Sequence, residues 1–272
     1  MILLKRILVL ILCTYTIGVM GQTRDVEKTS IILGDQIKLF SSTLNEYRII
    51  NIWLPETYSD TSSKKFPVIY LLDGSVNEDF IHIVGLVQFG SFPWVNLVPE
   101  SIVVGISNND RKKDFTFPSL SKQDIEEFPT AGGSENFIQF IKNELQPFID
   151  RNYKSNNTRT IIGQSFGGLL ASEILIKYPE TFDNYIIVSP SLWWDNESLL
   201  QLKHYPPLSG KSIYIGVGEE GNVMEKTAKH LYSIFETEKL ENTEINFEYL
   251  SGYDHGDALH LAVYNAFEKI FR

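Results

Sequence analysis

Cysteine is nearly absent from the sequence, and this scarcity excludes several kinds of site. The single Cys13 in 272 residues rules out an intramolecular disulfide, a zinc ribbon and an iron–sulfur cluster held by cysteines. Basic residues are also few, since 24 Lys and Arg against 34 Asp and Glu give a formal net charge of −10. Nucleic-acid binding needs a basic surface, so this balance argues against it. Metal-ligand spacings, phosphate loops and dinucleotide fingerprints are missing too, so we expect no metal and no cofactor.

The N-terminus has the pattern of a secretory signal peptide. Two basic residues precede an apolar run over residues 7–20, and cleavage before Gln22 would follow a small residue. We therefore expect a signal peptide over residues 1–21 and a folded domain over residues 22–272. The protein would then be secreted or periplasmic, with no stable membrane insertion after cleavage. An uncleaved anchor is the alternative, although the apolar run is short for a full membrane span.

From residue 31 onward, strand-like and helix-like segments alternate, as they do in an α/β fold. The middle strands are short and continuously apolar, which predicts a mostly parallel central sheet with helices on both faces. The first two strands have no helix between them and should form an antiparallel hairpin at one edge. The predicted strands are Ile31–Phe40, Tyr47–Leu54, Phe66–Leu72, Ser101–Ser107, Thr160–Gly163, Asn184–Val188, Ser212–Val217 and Ile245–Leu250. The predicted helices are Ser134–Ile149, capped by Ser134, and Phe166–Lys177, Val223–Thr237 and Ala258–Phe271.

The segment Gly163-Gln164-Ser165-Phe166-Gly167 fits the G-x-S-x-G pattern of a nucleophilic serine. A predicted strand precedes it and a predicted helix follows it, which is the context that this motif requires. The glycines leave room where a Cβ would collide with neighbouring elements. We predict that Ser165 is the nucleophile and that the Phe166 N–H, at the helix N-terminus, is an oxyanion donor. The alternative is a tightly packed glycine-rich turn without chemistry.

A serine nucleophile needs an acid and a histidine, which follow it along the chain in that order in this kind of fold. His255 lies in the loop between the last predicted strand and the last predicted helix, so we predict that it is the base. Glu219 and Glu220 follow the penultimate strand, and Glu220 is the preferred acid. Asp195, which follows the preceding strand, is the fallback.

A second oxyanion donor is expected in the loop after the third strand, where the sequence reads Asp73-Gly74-Ser75. Gly74 permits a sharp turn that would aim the backbone N–H of Ser75 towards Ser165. An ordinary Asp-Gly turn is the alternative explanation of this segment.

These motifs resemble those of the putative-esterase branch of the α/β-hydrolases, and most of all its enterobactin and salmochelin esterase-like members. The matching pieces are Tyr70–Gly74 (YLLDG), Gly132-Gly133, Gly163–Gly168 (GQSFGG), Ser189–Asp195 (SPSLWWD), His255-Gly256 and, more loosely, Asn108–Pro118. The resemblance implies an α/β-hydrolase fold and a serine carboxylic-ester hydrolase that forms an acyl-enzyme. Its substrate would be a small-molecule ester, such as a siderophore lactone or an acylated carbohydrate. Some members work with a Ser–His pair and little help from an acid. A catalytically inactive α/β-hydrolase-like binding protein is the alternative function.

Five residues are candidates for contact with substrate. Trp193 and Trp194, together with Phe115 and Phe117, could form an aromatic wall for a phenolic acyl group, although core packing explains either tryptophan equally well. Arg111 opens a short basic run in an acidic protein. In this family position the run is expected to meet an anionic substrate, whereas a solvated loop is the ordinary explanation.

Overall fold

The computed structural model describes residues 26–272, so the predicted signal peptide lies outside the described residues. Its cleavage before Gln22 and the secreted or periplasmic localisation therefore stay predictions. Residues 34–272 form one unit, and residues 26–33 contain neither helix nor strand. In the described part of the chain, no helix has both the length and the apolar character that crossing a membrane requires.

The strand-like segments form eight strands within residues 26–272. They are β1 (Asp35–Ser41), β2 (Glu46–Trp53), β3 (Phe66–Leu71), β4 (Ile102–Ile106), β5 (Ser155–Gln164), β6 (Asn184–Val188), β7 (Ser212–Gly218) and β8 (Glu244–Leu250). Together they build one sheet with the order β1-β2-β4-β3-β5-β6-β7-β8. β1 pairs antiparallel with β2, β2 pairs antiparallel with β4, and the remaining pairs are parallel. The predicted edge hairpin and mostly parallel sheet are confirmed.

Two strands differ from the prediction by more than one residue at an end. β1 begins at Asp35 rather than Ile31 because its partner strand ends at Trp53, two residues before Pro55, which has no N–H to donate. β5 begins at Ser155, five residues before the predicted start at Thr160. The prediction missed the first half of this strand because that half is polar and has no apolar pattern. Pairing with β3 holds this polar half in the sheet.

The structure has helices beyond the four that the sequence predicts. They are α1 (Phe80–Gly90), α2 (Arg111–Phe115), α3 (Lys122–Glu127), α4 (Ser134–Phe140), α5 (Gln146–Asn152), α6 (Phe166–Lys177), α7 (Asn222–Glu238) and α8 (Ala258–Phe271). A π-helical turn (Ile141–Leu145) joins α4 to α5, and shorter helical turns cover Pro179–Thr181, Trp194–Glu197 and Ser198–Leu200. The prediction that Ser134 caps its helix is wrong. Gly133 is the N-cap, and Ser134 is the first residue of the helix. The N–H of Ser134, which has no partner within the helix, donates to Thr116 O at 3.0 Å.

Helices cover both faces of the sheet, as the sequence predicts. Along β3, Val68 and Tyr70 belong to one hydrophobic core, while Ile69 and Leu71 belong to the other, as the alternation of side chains in a strand requires. The first core includes apolar side chains of α4, α6 and α7, and the second includes those of α1 and α8. The segments that carry the predicted site residues follow the carboxyl ends of β3, β4, β5, β6, β7 and β8. In parallel α/β sheets this edge is where ligands bind.

Candidate active site

Ser165 sits in a strained turn between β5 and α6. Its backbone has φ 60° and ψ −121°, a region that costs a non-glycine residue about 1–3 kcal/mol. The turn is held by neighbours, because the Ser165 N–H donates to Val188 O of β6 at 3.1 Å. The hydroxyl is therefore presented at the carboxyl edge of the sheet, as the nucleophile motif predicts.

The glycines of the motif are there because backbone atoms crowd them. A Cβ on Gly163 would lie 2.3 Å from Gly167 O, and one on Gly168 would lie 2.9 Å from Val188 O. Both distances are far shorter than a carbon–oxygen contact allows. A side chain at either position would push the strand and the helix apart and displace Ser165.

His255 and Glu220 lie in direct contact, with Nδ1 of the imidazole 2.5 Å from Oε2 of the carboxylate. The other carboxylate oxygen accepts the Gly218 N–H at 2.9 Å and the hydroxyl proton of Ser189. Burial raises the pKa of Glu220, but the hydrogen bonds from His255, Ser189 and Gly218 outweigh burial and lower the pKa overall. An ionised carboxylate has no proton to give, so Nδ1 must be the donor and Nε2 the free acceptor of the neutral ring.

The two alternative acids are engaged elsewhere. Glu219 accepts the Gly252 N–H at 3.1 Å, and its own N–H donates to Tyr253 O at 2.5 Å. Asp195 accepts hydrogen bonds from the Leu120 N–H and from a serine hydroxyl beside it. The geometry thus brings Glu220 to His255, and it gives Glu219 the separate task of tying the histidine loop to the end of β7.

Ser165 and His255 line the same cavity of about 690 Å³. Gln164 links them, because its side-chain amide donates to His255 O at 2.6 Å. Within residues 26–272, the hydrogen-bond partner of Ser165 Oγ is Ser191 Oγ at 3.3 Å rather than the imidazole. The lining residues are Ser165, Ser191, Trp193, Glu219, Glu220, Met224, Asp254, His255 and Gly256. Sequence reasoning missed Ser191 and Met224, although Ser191 lies in the SPSLWWD segment that it singled out.

The loop after β3 is held rigidly against the serine turn. Asp73 has φ 54°, Gly74 N–H donates to Ile106 O at 2.9 Å, and Gly74 O accepts from the Asn51 amide at 2.8 Å. A Cβ on Gly167 would lie only 3.4 Å from Asp73 Oδ2, so this loop packs on the start of α6.

Within residues 26–272, neither of the two predicted oxyanion donors, the N–H groups of Phe166 and Ser75, has a close hydrogen-bond acceptor. Phe166 is the first residue of α6, so its N–H has no carbonyl one turn earlier in the helix to bind. The Ser75 N–H makes only a long contact of 3.4 Å with a carboxylate oxygen of Glu78. The oxyanion roles of Phe166 and Ser75 stay predictions.

Arg111 is engaged with the protein itself. Its Nε and Nη2 donate to the two carboxylate oxygens of Asp73 at 2.6 and 2.8 Å, and Nη2 also lies 3.2 Å from Gln164 O. Arg111 is also the cation beside Asp79, whose pKa is raised to about 6 by burial first and then by Asp73 and Glu78. The structure therefore gives Arg111 the task of joining the β3 loop to the serine turn, and its contact with an anionic substrate stays a prediction.

We expect Arg111→Ala to lower the free energy of unfolding by about 2–4 kcal/mol, since Asp73 is only 8% exposed and would keep the Asn108 amide as a hydrogen-bond donor but lose its counter-charge. Asp73→Asn in the same chain should restore about half of this loss, because the amide carries no charge and asparagine tolerates positive φ. Urea titration of both variants checks this. Lys112→Ala, which removes the neighbouring cation, should change stability by less than about 0.5 kcal/mol. Unchanged stability with a raised KM for an anionic ester alone would instead favour the substrate contact.

The tryptophans divide between cavity and core. Trp193 lines the cavity, whereas Trp194 is 1% exposed and its indole N–H donates to Phe117 O at 2.9 Å. Phe115 and Phe117 are also buried. For Trp194 the core-packing explanation is therefore the one that the structure favours. Phe128, which the sequence gave no reason to select, packs against Trp193 with ring centroids 6.4 Å apart.

Among the described residues, no group of three or more His, Cys, Asp or Glu side chains is arranged to hold a metal ion.

Sequence and structure comparisons place the chain among esterases. A family model described as "Putative esterase" matches residues 41–261. Ferri-bacillibactin esterase BesA of Bacillus subtilis is 30% identical over 259 residues, which cover 86% of this chain and 89% of that protein.

Two solved structures show the same fold. The BES protein from Bacillus cereus superposes with a TM-score of 0.78 at 28% identity, covering 92% of this chain and all of that one. The IroE-like serine hydrolase from Shewanella oneidensis superposes with a TM-score of 0.76 at 25% identity, covering 88% of this chain and 80% of that one. The predicted α/β-hydrolase fold is confirmed.

Proposed function

The chain belongs to the Putative esterase family, and we propose that it is a serine carboxylic-ester hydrolase with Ser165, Glu220 and His255 as its catalytic triad. The observation that carries the proposal is the pairing of His255 with the buried Glu220 carboxylate in the cavity that Ser165 lines. Strained serine, oriented histidine and ionised acid are the three parts that acyl transfer needs. The relatives named as siderophore esterases support ester hydrolysis as the reaction.

In the first half-reaction, Ser165 Oγ attacks the ester carbonyl carbon and passes its proton to His255 Nε2. The hydroxyl proton of Ser165 must therefore point towards the imidazole rather than towards Ser191 when substrate binds. Glu220 keeps the other ring proton on Nδ1 and stabilises the imidazolium that forms.

The negative charge that develops on the carbonyl oxygen is stabilised by the N–H groups of Phe166 and Ser75. The intermediate collapses when the bond to the alcohol oxygen breaks and His255 gives its proton to that oxygen. Water then attacks the carbonyl carbon of the acyl-enzyme while His255 takes a proton from the water. The bond between that carbon and Ser165 Oγ breaks, and His255 gives its proton to Oγ, which restores the serine hydroxyl. The products are a carboxylic acid and an alcohol.

We propose a siderophore ester as the substrate class. The cavity of about 690 Å³ lies within the range of volumes that hold organic ligands. His255 is half exposed, so a bulky ester can reach the triad. Trp193 gives the cavity an aromatic wall on which a phenolic acyl group can stack. The name of BesA, ferri-bacillibactin esterase, supports the same choice.

A panel of three esters tests the proposal on the purified protein. Ferric-enterobactin, methyl ferulate and p-nitrophenyl butyrate represent a siderophore lactone, the acyl group of an acylated carbohydrate and an unspecific ester. We expect the highest kcat/KM for ferric-enterobactin, by at least about tenfold, because only its acyl groups use the aromatic wall together with the bulk of the cavity. A higher value for the feruloyl ester would select the acylated carbohydrate. Binding of ferric-enterobactin without hydrolysis of any ester would select the inactive binding protein.

A further inference from the structure

The segment Ser189-Pro190-Ser191, here called the SPS segment, runs between the acid and the nucleophile at the end of β6. Its Ser189 N–H donates to Gly216 O of β7 at 2.8 Å, and its Ser191 N–H donates to Ser165 O at 3.0 Å. A Cβ on Gly168 would lie 3.0 Å from Pro190 Cα, so the segment also packs tightly on α6. The SPS segment is thus fixed to the strand before the acid on one side and to the serine turn on the other.

Ser189 is strained, buried and bound to the acid. Its φ is 44° although it is not a glycine, and it has no exposed surface. Its hydroxyl donates to Oε1 of Glu220, the oxygen that does not face the imidazole. Strain of this kind persists where surrounding contacts impose it, and it occurs mainly at functional sites. Glycine would fit the backbone without strain, so the hydroxyl is what serine supplies at this position.

Ser191 reaches the nucleophile itself. Its Oγ lies 3.3 Å from Ser165 Oγ, and the residue is 3% exposed. If Ser191 donates this hydrogen bond, the proton of Ser165 stays free for His255 Nε2. The same donor would then stabilise the negative charge on Ser165 Oγ when that oxygen leaves the acyl group during deacylation.

We infer that the SPS segment aligns the active site from both ends, with Ser189 as a positioning residue for Glu220 and Ser191 as a hydrogen-bond donor to Ser165 Oγ. The inference rests on the proposed serine mechanism and adds two residues to it. Ser189 acts through the acid, because its donated hydrogen bond holds one carboxylate oxygen so that the other points to His255. Ser191 acts on the reacting oxygen directly. Their effects should therefore depend differently on Glu220.

The test compares Ser189→Ala and Ser191→Ala in the full chain and in a Glu220→Gln chain. Two readouts are used: kcat and KM for p-nitrophenyl butyrate, and the rate of labelling by a fluorophosphonate probe, which needs no knowledge of the natural substrate. Ser172→Ala is the matched control, since Ser172 is a fully buried serine on α6 whose hydroxyl donates to Gly168 O at 2.7 Å and so has a hydrogen-bond partner outside the triad. Urea unfolding verifies that each variant is folded.

Ser189→Ala should lower kcat by about 10- to 100-fold with KM changed less than about twofold, because a hydrogen bond to a charged acceptor is lost away from the substrate. In the Glu220→Gln chain the same change should lower kcat no further, since the two residues act as one unit. Ser191→Ala should slow labelling by about 5- to 20-fold in both chains. Ser172→Ala should label at the wild-type rate.

Equal losses from Ser189→Ala in both chains would show a merely structural role and overturn the inference for Ser189. Wild-type labelling by Ser191→Ala would overturn it for Ser191. If Ser189→Ala unfolds, Ser189→Gly takes its place, because it removes the hydroxyl and relieves the strain. A wild-type chain that does not react with the probe would instead contradict the proposed serine mechanism, so the two failures are distinguishable.

Discussion

Replacing Ser165 with alanine is expected to lower kcat for p-nitrophenyl butyrate by about 10⁴- to 10⁶-fold, since loss of the nucleophile removes the covalent route altogether. The remaining activity would come from oxyanion donors and substrate binding alone. A fluorophosphonate probe should label the wild-type chain once, at Ser165, and should not label the variant. Intact-mass measurement before and after labelling checks both statements.

Folding should be almost unaffected by this change. The strained backbone at φ 60° is imposed by the Ser165 N–H bond to Val188 O and by the crowded Gly163 and Gly168, and none of these contacts uses the hydroxyl. Alanine carries the same Cβ and therefore bears the same strain. An unfolding midpoint in urea close to the wild-type value, together with lost activity, separates a chemical from a structural effect. Labelling of the alanine variant would show that another residue is the nucleophile.

Much of the fold was predictable because strands buried on both faces leave an unmistakable apolar pattern. β6 is predicted with both of its ends correct, and β7 to within one residue at each end. The polar half of β5 was not, because pairing with a neighbour rather than apolar content keeps it in the sheet. The short helices α2 and α3 were missed for a similar reason. They begin with side-chain caps from Asp110 and Ser121 and are too short to show a hydrophobic periodicity.

In the site, chain order identified the residues that meet, but it could not reveal what holds them. The positions of Glu220 and His255 after successive strands predict their encounter, and their side chains are in contact. Arg111 looked like a free cation, because nothing in the sequence shows that a carboxylate 38 residues away occupies its guanidinium. The substrate contact predicted for Trp194 failed for a similar reason. Adjacent tryptophans point to different sides, and only the packing shows that Trp194 is the buried one.

The second large effect is expected for Glu220→Gln, with a loss in kcat of about 10²- to 10⁴-fold. Two donors, the Ser189 hydroxyl and the Gly218 N–H, converge on one oxygen of this carboxylate. In the variant they should capture the single amide oxygen of glutamine, which turns the amide NH₂ towards His255. Facing a donor, Nδ1 must become an acceptor, so the ring proton moves to Nε2 and the imidazole can no longer take a proton from Ser165. The loss should therefore reach the upper part of the range.

Glu219→Gln is the matched control, because it makes the same chemical change one residue earlier in the chain. Its amide oxygen can still accept the Gly252 N–H, so the histidine loop keeps its tie and kcat should change less than about threefold. KM should stay within about twofold in both variants, since neither carboxylate is needed to hold the acyl group. The reverse ranking of the two variants would transfer the acid's role to Glu219. Near-wild-type kcat in both would leave Asp195 or a Ser165–His255 pair, and the contacts of Asp195 with Leu120 and Ser119 then favour the pair.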